Sequence, residues 1–175
     1  GALSIRGTFT SNQGPGIDVC TFLQNTAKEV GGAISIGESA FASINNSVFQ
    51  QNQIIAGVAG PAGGGGLHIA EHFEGSVAGT AFSNNLVTNF PGNSTALRAA
   101  GGGMYVGGAT RNGAFESSVF EQNVLKPYGE NLNSNVASGA GIYVAGGASS
   151  PFVACRFAGN EVYGWFGTGG GIGLG

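Results

Sequence analysis

Apolar and polar residues alternate in short runs that return along the whole chain, each run preceded by a cluster of small residues. Gly31-Gly32-Ala33 precedes Ile34-Ser35-Ile36, Gly64-Gly65-Gly66 precedes Leu67-His68-Ile69, and Gly101-Gly102-Gly103 precedes Met104-Tyr105-Val106. Gly139-Ala140-Gly141 with Ile142-Tyr143-Val144, then Gly169-Gly170-Gly171 with Ile172-Gly173-Leu174, complete the series. Period-two patterning belongs to strands, and a Gly-rich triad in every copy would break any helix. A second signal, Phe-x-x-Asn, alternates with the first at Phe9/Asn12, Phe22/Asn25, Phe49/Asn52, Phe82/Asn85, Phe120/Asn123 and Phe157/Asn160. From the first apolar residue of a run to the following Phe is 15, 15, 16 and 15 residues. That near-constancy marks a structural repeat.

One turn, from Gly31 to Asn52, takes 22 residues, room for three short strands with bends between them. A single coil of this kind buries nothing. Coils stacked about 4.8 Å apart pair their strands in parallel and close a common core. The pattern therefore predicts an all-β fold, a parallel β-helix (a solenoid) of about five coils plus partial end coils, with residues 1–175 as a single segment. In such a stack Phe22, Phe49, Phe82, Phe120 and Phe157 form an internal column, each stabilising by roughly 1.5–3 kcal/mol through burial. The small residues Cys20, Ser47, Thr80, Ser118 and Cys155 stand two places before each Phe, as a crowded inward position requires. Asn25, Asn52, Asn85, Asn123 and Asn160 end the same strand at a bend, where Asn tolerates left-handed backbone and stacked amides bond along the column. On the outward slot of the Gly-triad strand, Ser35, His68, Tyr105, Tyr143 and Gly173 are expected as a surface row in which Tyr105 and Tyr143 stack.

Between each Asn and the next triad the length varies: five residues at Thr26–Val30, then 11, 15, 15, and eight at Glu161–Thr168. Variable insertions at one point of a repeat emerge on one side of a solenoid, so a regular body and one irregular face are expected. That face carries Phe90, Tyr128, Tyr163, Trp165 and Phe166. Aromatics among polar neighbours suit contacts with a surface glycan or a protein; the plain alternative is that these loops cover the stack.

Composition narrows the class. Gly is the commonest residue at 35, the apolar fraction is 42%, and charged residues are 9%, which fits neither disorder nor collagen. Nine acidic against six basic residues, a formal charge of −3, leave no basic patch for nucleic acid. Apolar runs such as Ile54-Ile55-Ala56-Gly57-Val58 are too short to span a bilayer as a helix, so no membrane insertion by this segment is expected. The chain opens on Gly1 with no charged-then-apolar leader and reads as an excerpt of a longer repeat protein.

The alternating motifs resemble those of the chlamydial polymorphic outer-membrane proteins, whose passenger domains repeat Gly-Gly-Ala-(Ile/Leu/Val) and Phe-x-x-Asn. Gly31-Gly32-Ala33-Ile34 matches the first motif in full, later triads put Gly where that family has Ala, and all six Phe-x-x-Asn copies match the second. The resemblance spans nearly the whole chain from Phe9 onward. It implies a right-handed β-helix at the cell surface or outside the cell, used in adhesion. One fold hosts many functions, so the fold carries over more safely than the biology.

Several constellations have chemical readings. His68-Ile69-Ala70-Glu71-His72 matches an inverted zinc-protease motif, but that chemistry needs a helix. Extended, the two imidazoles stand about 13 Å apart, and no metal site is expected. Glu38 and Glu71 fall on equivalent positions of successive coils and could pair as hydrolase carboxylates or a calcium site. The next coils offer Gly108 and Gly146, and Arg111 is the one cation near, so two solvated turn residues are the simpler reading. Cys20 and Cys155, four coils or about 19 Å apart, cannot form a disulfide and read as small core residues. Of two glycosylation sequons, Asn45-Asn46-Ser47 falls inside a coil, while Asn93-Ser94-Thr95 sits in an insertion and makes Asn93 the candidate acceptor.

The expectation is a non-catalytic structural or adhesive segment without cofactor, extracellular or at the cell surface, within a fibre where coils continue. The alternative is a carbohydrate-active lyase or hydrolase on the pectin-lyase-like fold. A groove with convergent acids and Arg or Lys would favour the enzyme. Leu3-Ser4-Ile5 and Ile172-Gly173-Leu174 are core-patterned strands, so further coils or end-to-end copies of the chain are the expected partners.

Overall fold

The apolar-x-apolar runs are strands, and they stack in register. The structure is a computed structural model in which residues 1–5, 16–37, 42–56, 60–89, 97–110, 114–126, 136–146, 149–163 and 166–175 are described. Among these there is no helix, and every strand pair is parallel. Strands from successive repeats lie side by side in five sheets, the arrangement of a parallel β-solenoid.

The first sheet consists of the post-triad runs Leu3–Ile5, Ile34–Ile36, Leu67–Ile69, Met104–Val106, Ile142–Val144 and Ile172–Leu174. Its first and third residues point inward, and Ile34, Ile36, Leu67, Ile69, Met104 and Val106 are fully buried. The second sheet, represented by Ser43–Asn45 and Ser76–Ala78, contributes Ile17, Ile44, Val77 and Phe115 to the same core. The third carries the Phe column. Phe22, Phe49, Phe82, Phe120 and Phe157 stack with centroids 4.9, 4.7, 4.9 and 5.0 Å apart.

Two left-handed bends five residues apart frame each third-sheet strand. They fall at Val19 and Gln24, Asn46 and Gln51, Gly79 and Asn84, Ser117 and Gln122, and Ala154 and Gly159. The left-handed residue is thus the one before the repeat Asn, not the Asn itself, which corrects the sequence-based assignment. The bend frees backbone groups, and the Asn turns inward to take them. Its Oδ1 accepts both the backbone N–H and the Nδ2–H of the Asn one coil earlier, as Asn85 does from Asn52 at 3.0 and 3.1 Å. Its Nδ2 also donates to the carbonyl of the preceding coil's Phe, as Asn85 does to Phe49 at 2.9 Å. After the first bend, hydroxyls play a similar part: the backbone N–H groups of Cys20, Ser47 and Thr80 donate to Ser47 Oγ, Thr80 Oγ1 and Ser118 Oγ. Cys20 and Cys155 are free and half-buried rather than enclosed, because they sit in the outermost coils of that column.

The variable segment departs most from expectation. It holds two further sheets, not loops alone. The fourth comprises Thr26–Ala27, Gln53–Ala56, Leu86–Asn89, Val124–Lys126 and Glu161–Val162, and the fifth Gly60–Gly63, Leu97–Ala100, Val136–Ser138 and Phe166–Thr168. Ile54, Val87 and Leu125 face Ala62, Ala99 and Ala137 in a second apolar core. The Gly triad then turns the chain into the first sheet. Its leading glycine is left-handed, as at Gly64 with φ 72°. A Cβ on Gly65 would lie 2.2 Å from the Gly102 carbonyl of the next coil, so only glycine lets the backbones approach this closely.

Candidate functional site

At the triad corner the first and fifth sheets meet at an angle and leave a groove outside the wall. The described lining of its larger lobe, about 670 Å³, is Val30, Ala62, Gly63, His68, Ala70, Ala99, Ala100, Tyr105, Ser138, Tyr143 and Ala145. A second lobe of about 530 Å³ shares Val30 and continues past Ser4 and Ser35, with Lys28 and Glu29 also lining it. Ser4, Ser35, His68, Tyr105, Tyr143 and Gly173 occupy one in-register row of the first sheet. The groove therefore follows the stacking direction of the coils.

Three rings make its wall. Tyr105 and Tyr143 stack with centroids 5.8 Å apart, and His68 extends the stack, 5.0 Å from Tyr105 with the planes 2° apart. The row differs from expectation at His68, which is only 9% exposed, and at Gly173, which is buried. Its Nδ1 is buried and has no hydrogen-bond partner. Burial lowers its pKa from 6.5 to about 4, so the imidazole is neutral at neutral pH. Burial pushes the Tyr105 phenol up, with Tyr143 adding to the shift. Among the described residues neither tyrosine hydroxyl is hydrogen-bonded.

The His68 shift predicts acid sensitivity. In the unfolded chain the imidazole takes its proton near pH 6.5, but in the folded chain only near pH 4. Stability from this group is complete above pH 6.5 and is lost as pH falls toward 4, by about 3 kcal/mol in order of magnitude. Urea midpoints between pH 7.5 and 4 should fall less steeply for His68→Phe, which keeps a ring against Tyr105, than for the native chain. Identical slopes would assign the acid loss to other groups.

The other sequence candidates are placed as follows. Tyr163 is 48% exposed beside the fourth-sheet strand Glu161–Val162; its hydroxyl donates to the Glu161 carboxylate, and Lys126 Nζ lies 5.6 Å from its ring centre. The Glu161 hydrogen bond, with that carboxylate's charge, raises the Tyr163 pKa. Phe90, Tyr128, Trp165 and Asn93 lie outside the described residues, as do Glu38, Arg111 and the Phe9/Asn12 copy. In the other sequon, Ser47 is buried and its hydroxyl donates to Asn45 O at 2.7 Å. His68 sits in a strand, and half-buried His72 accepts the Ala109 N–H on Nδ1 at 3.2 Å. No group of three or more His, Cys, Asp or Glu among the described residues could hold a metal ion.

Sequence reasoning missed the groove because its floor belongs to the fifth sheet. A signal existed: Ala62, Ala99 and Ala137 each stand two residues before the leading glycine of a triad, and Ile54, Val87, Leu125 and Val162 two after each Asn. No protein-family model, curated protein or solved structure matches the chain.

Proposed function

We propose that the chain is a non-catalytic structural and adhesive segment, extracellular or at the cell surface, built as a right-handed parallel β-helix of about five coils plus partial end coils. Its repeats are of the chlamydial polymorphic outer-membrane protein type. The right hand is the one parallel crossovers take in nearly all proteins. The observation that carries the reading is how the interior polar groups are used. The Asn amides bond to one another from coil to coil, and the Ser and Thr hydroxyls link successive coils through the backbone. Such a column holds coils together and extends by repetition. Of the described carboxylates, Asp18 and Glu116 lie on the second sheet, Glu121 pairs with Arg156 on the third, and Glu161 bonds Tyr163 beside the fourth.

Further coils, from the same chain or a second copy, fit the edges of the outermost first-sheet strands, where Leu3 and Leu174 are exposed. An unpaired parallel edge with apolar side chains beside it invites strand addition. Residues 1–175 alone should sediment as concentration-dependent end-to-end species; a monodisperse monomer at high concentration would remove the filament part. Incubation with pectate or alginate should release no unsaturated product. Steady release that Glu71→Gln abolishes would replace the scaffold by a polysaccharide lyase.

A further inference from the structure

We propose that the groove at the triad corner binds an extended, uncharged glycan running along the coil axis, with sugar hydroxyls meeting Tyr105, Tyr143 and His68 on successive coils. The inference rests on the adhesive reading and names the class of ligand that reading leaves open.

Three observations carry it. The first is periodicity. The wall presents hydrogen-bonding rings at centroid spacings of 5.0 and 5.8 Å, close to the coil repeat of about 4.8 Å. A pyranose joined through opposite ring positions advances its chain by close to the same distance. The second is unspent hydrogen bonding. Among the described residues the phenols of Tyr105 and Tyr143 have no partner, and His68 Nδ1 is buried without one in a side chain that is itself 9% exposed. Buried polar atoms are rarely left so. A hydroxyl both donates and accepts, so one that meets the accessible edge of the imidazole suits either tautomer. The third is charge and shape. The described lining of the larger lobe holds no acid and no Lys or Arg, which suits a neutral polymer and not a uronate or a phosphate chain. Small residues such as Gly63, Ala70 and Ala100 leave width for a sugar ring against the aromatic edges, in a lobe of ligand-site size.

The test is calorimetric titration of the full chain at pH 7 with cellohexaose, xylohexaose and mannohexaose. Hexagalacturonate and a Ser/Thr-rich decapeptide serve as the charged and peptide comparisons. At least one neutral hexasaccharide should bind saturably and outcompete both comparisons. Tyr105→Phe and Tyr143→Phe, which keep the ring stack, should each raise its Kd about five- to tenfold, the loss of one net hydrogen bond. Thermal melts matching the native chain would establish that both variants fold. Absence of binding by all three neutral sugars overturns the proposal. So does binding indifferent to both Tyr→Phe changes, or capture of the uronate or the peptide alone. Chromatography of the recovered sugar separates this site from the reading beneath it. A probe bound and recovered intact supports both, whereas a probe bound and cleaved leaves the site standing and overturns the non-catalytic reading. A chain that attaches to cells yet ignores every sugar overturns the groove alone.

Discussion

Asn85→Ala should destabilise the chain by about 4–6 kcal/mol, more than any surface substitution, because one amide serves four buried groups. Its Oδ1 accepts the Asn52 backbone N–H and one Asn52 amide hydrogen, while its Nδ2 donates to Phe49 O and Asn123 Oδ1. All three asparagines are fully buried. Alanine fills none of these roles. Two donors on Asn52 are then left without an acceptor, each costing about 1–3 kcal/mol, and the two acceptors add to that. Asn25 provides the internal comparison. It is half-buried, and its amide donates to Asn52 Oδ1 at 2.9 Å, so Asn25→Ala should cost only about 1–2 kcal/mol. Urea denaturation followed by circular dichroism measures both. Equal, small shifts in the two midpoints would show that the amide column is ornamental to stability.

Phe82→Ala should cost about 3–5 kcal/mol, the range for truncating a buried Phe, with the upper end favoured here. The ring is fully buried between Phe49 and Phe120, stacked within 8° of one and 2° of the other. A void left there cannot close readily. Its neighbours include Gly66, where even an added Cβ would stand 3.3 Å from the Phe82 ring, and glycine has no side chain to swing inward. Adjacent coils are held at the sheet spacing by backbone hydrogen bonds, so they cannot sink toward the gap. Phe82→Leu keeps most of the volume and should recover much of the loss. A Phe82→Ala cost below about 1 kcal/mol, with an unchanged slope against urea, would mean that the ring stack does not bear on coil cohesion.

The candidate site was only half legible. The register of Tyr105 on Tyr143 follows from counting residues from each triad, and the two rings do stack. That His68 would be buried in the same row depends on what leans over it. The sheet that supplies the groove floor comes from segments of 11 and 15 residues, whose length variation conceals constant apolar positions at each end. Phe73 illustrates the same limit. It is fully buried against Phe115 at 5.8 Å but belongs to neither motif.

By itself the sequence determined whatever repeats at fixed spacing. It specified parallel strands, the column of Phe, the column of Asn, and glycine at the triads, where the leading residue is left-handed and the backbone nearly touches the next coil. These are properties of one coil and its immediate neighbour, and a period-two pattern at constant distance encodes them in full. Only the tertiary structure decided that the variable segments close two more sheets, that the bend falls one residue before the Asn, and that two sheets meet in a groove. The reason is geometric. Side-chain alternation says which way a residue points relative to its own strand, but the angle between two sheets arises from packing. The seat of the fifth sheet depends on how closely Ala62, Ala99 and Ala137 let it approach the fourth, and the groove is the space left outside where it meets the first.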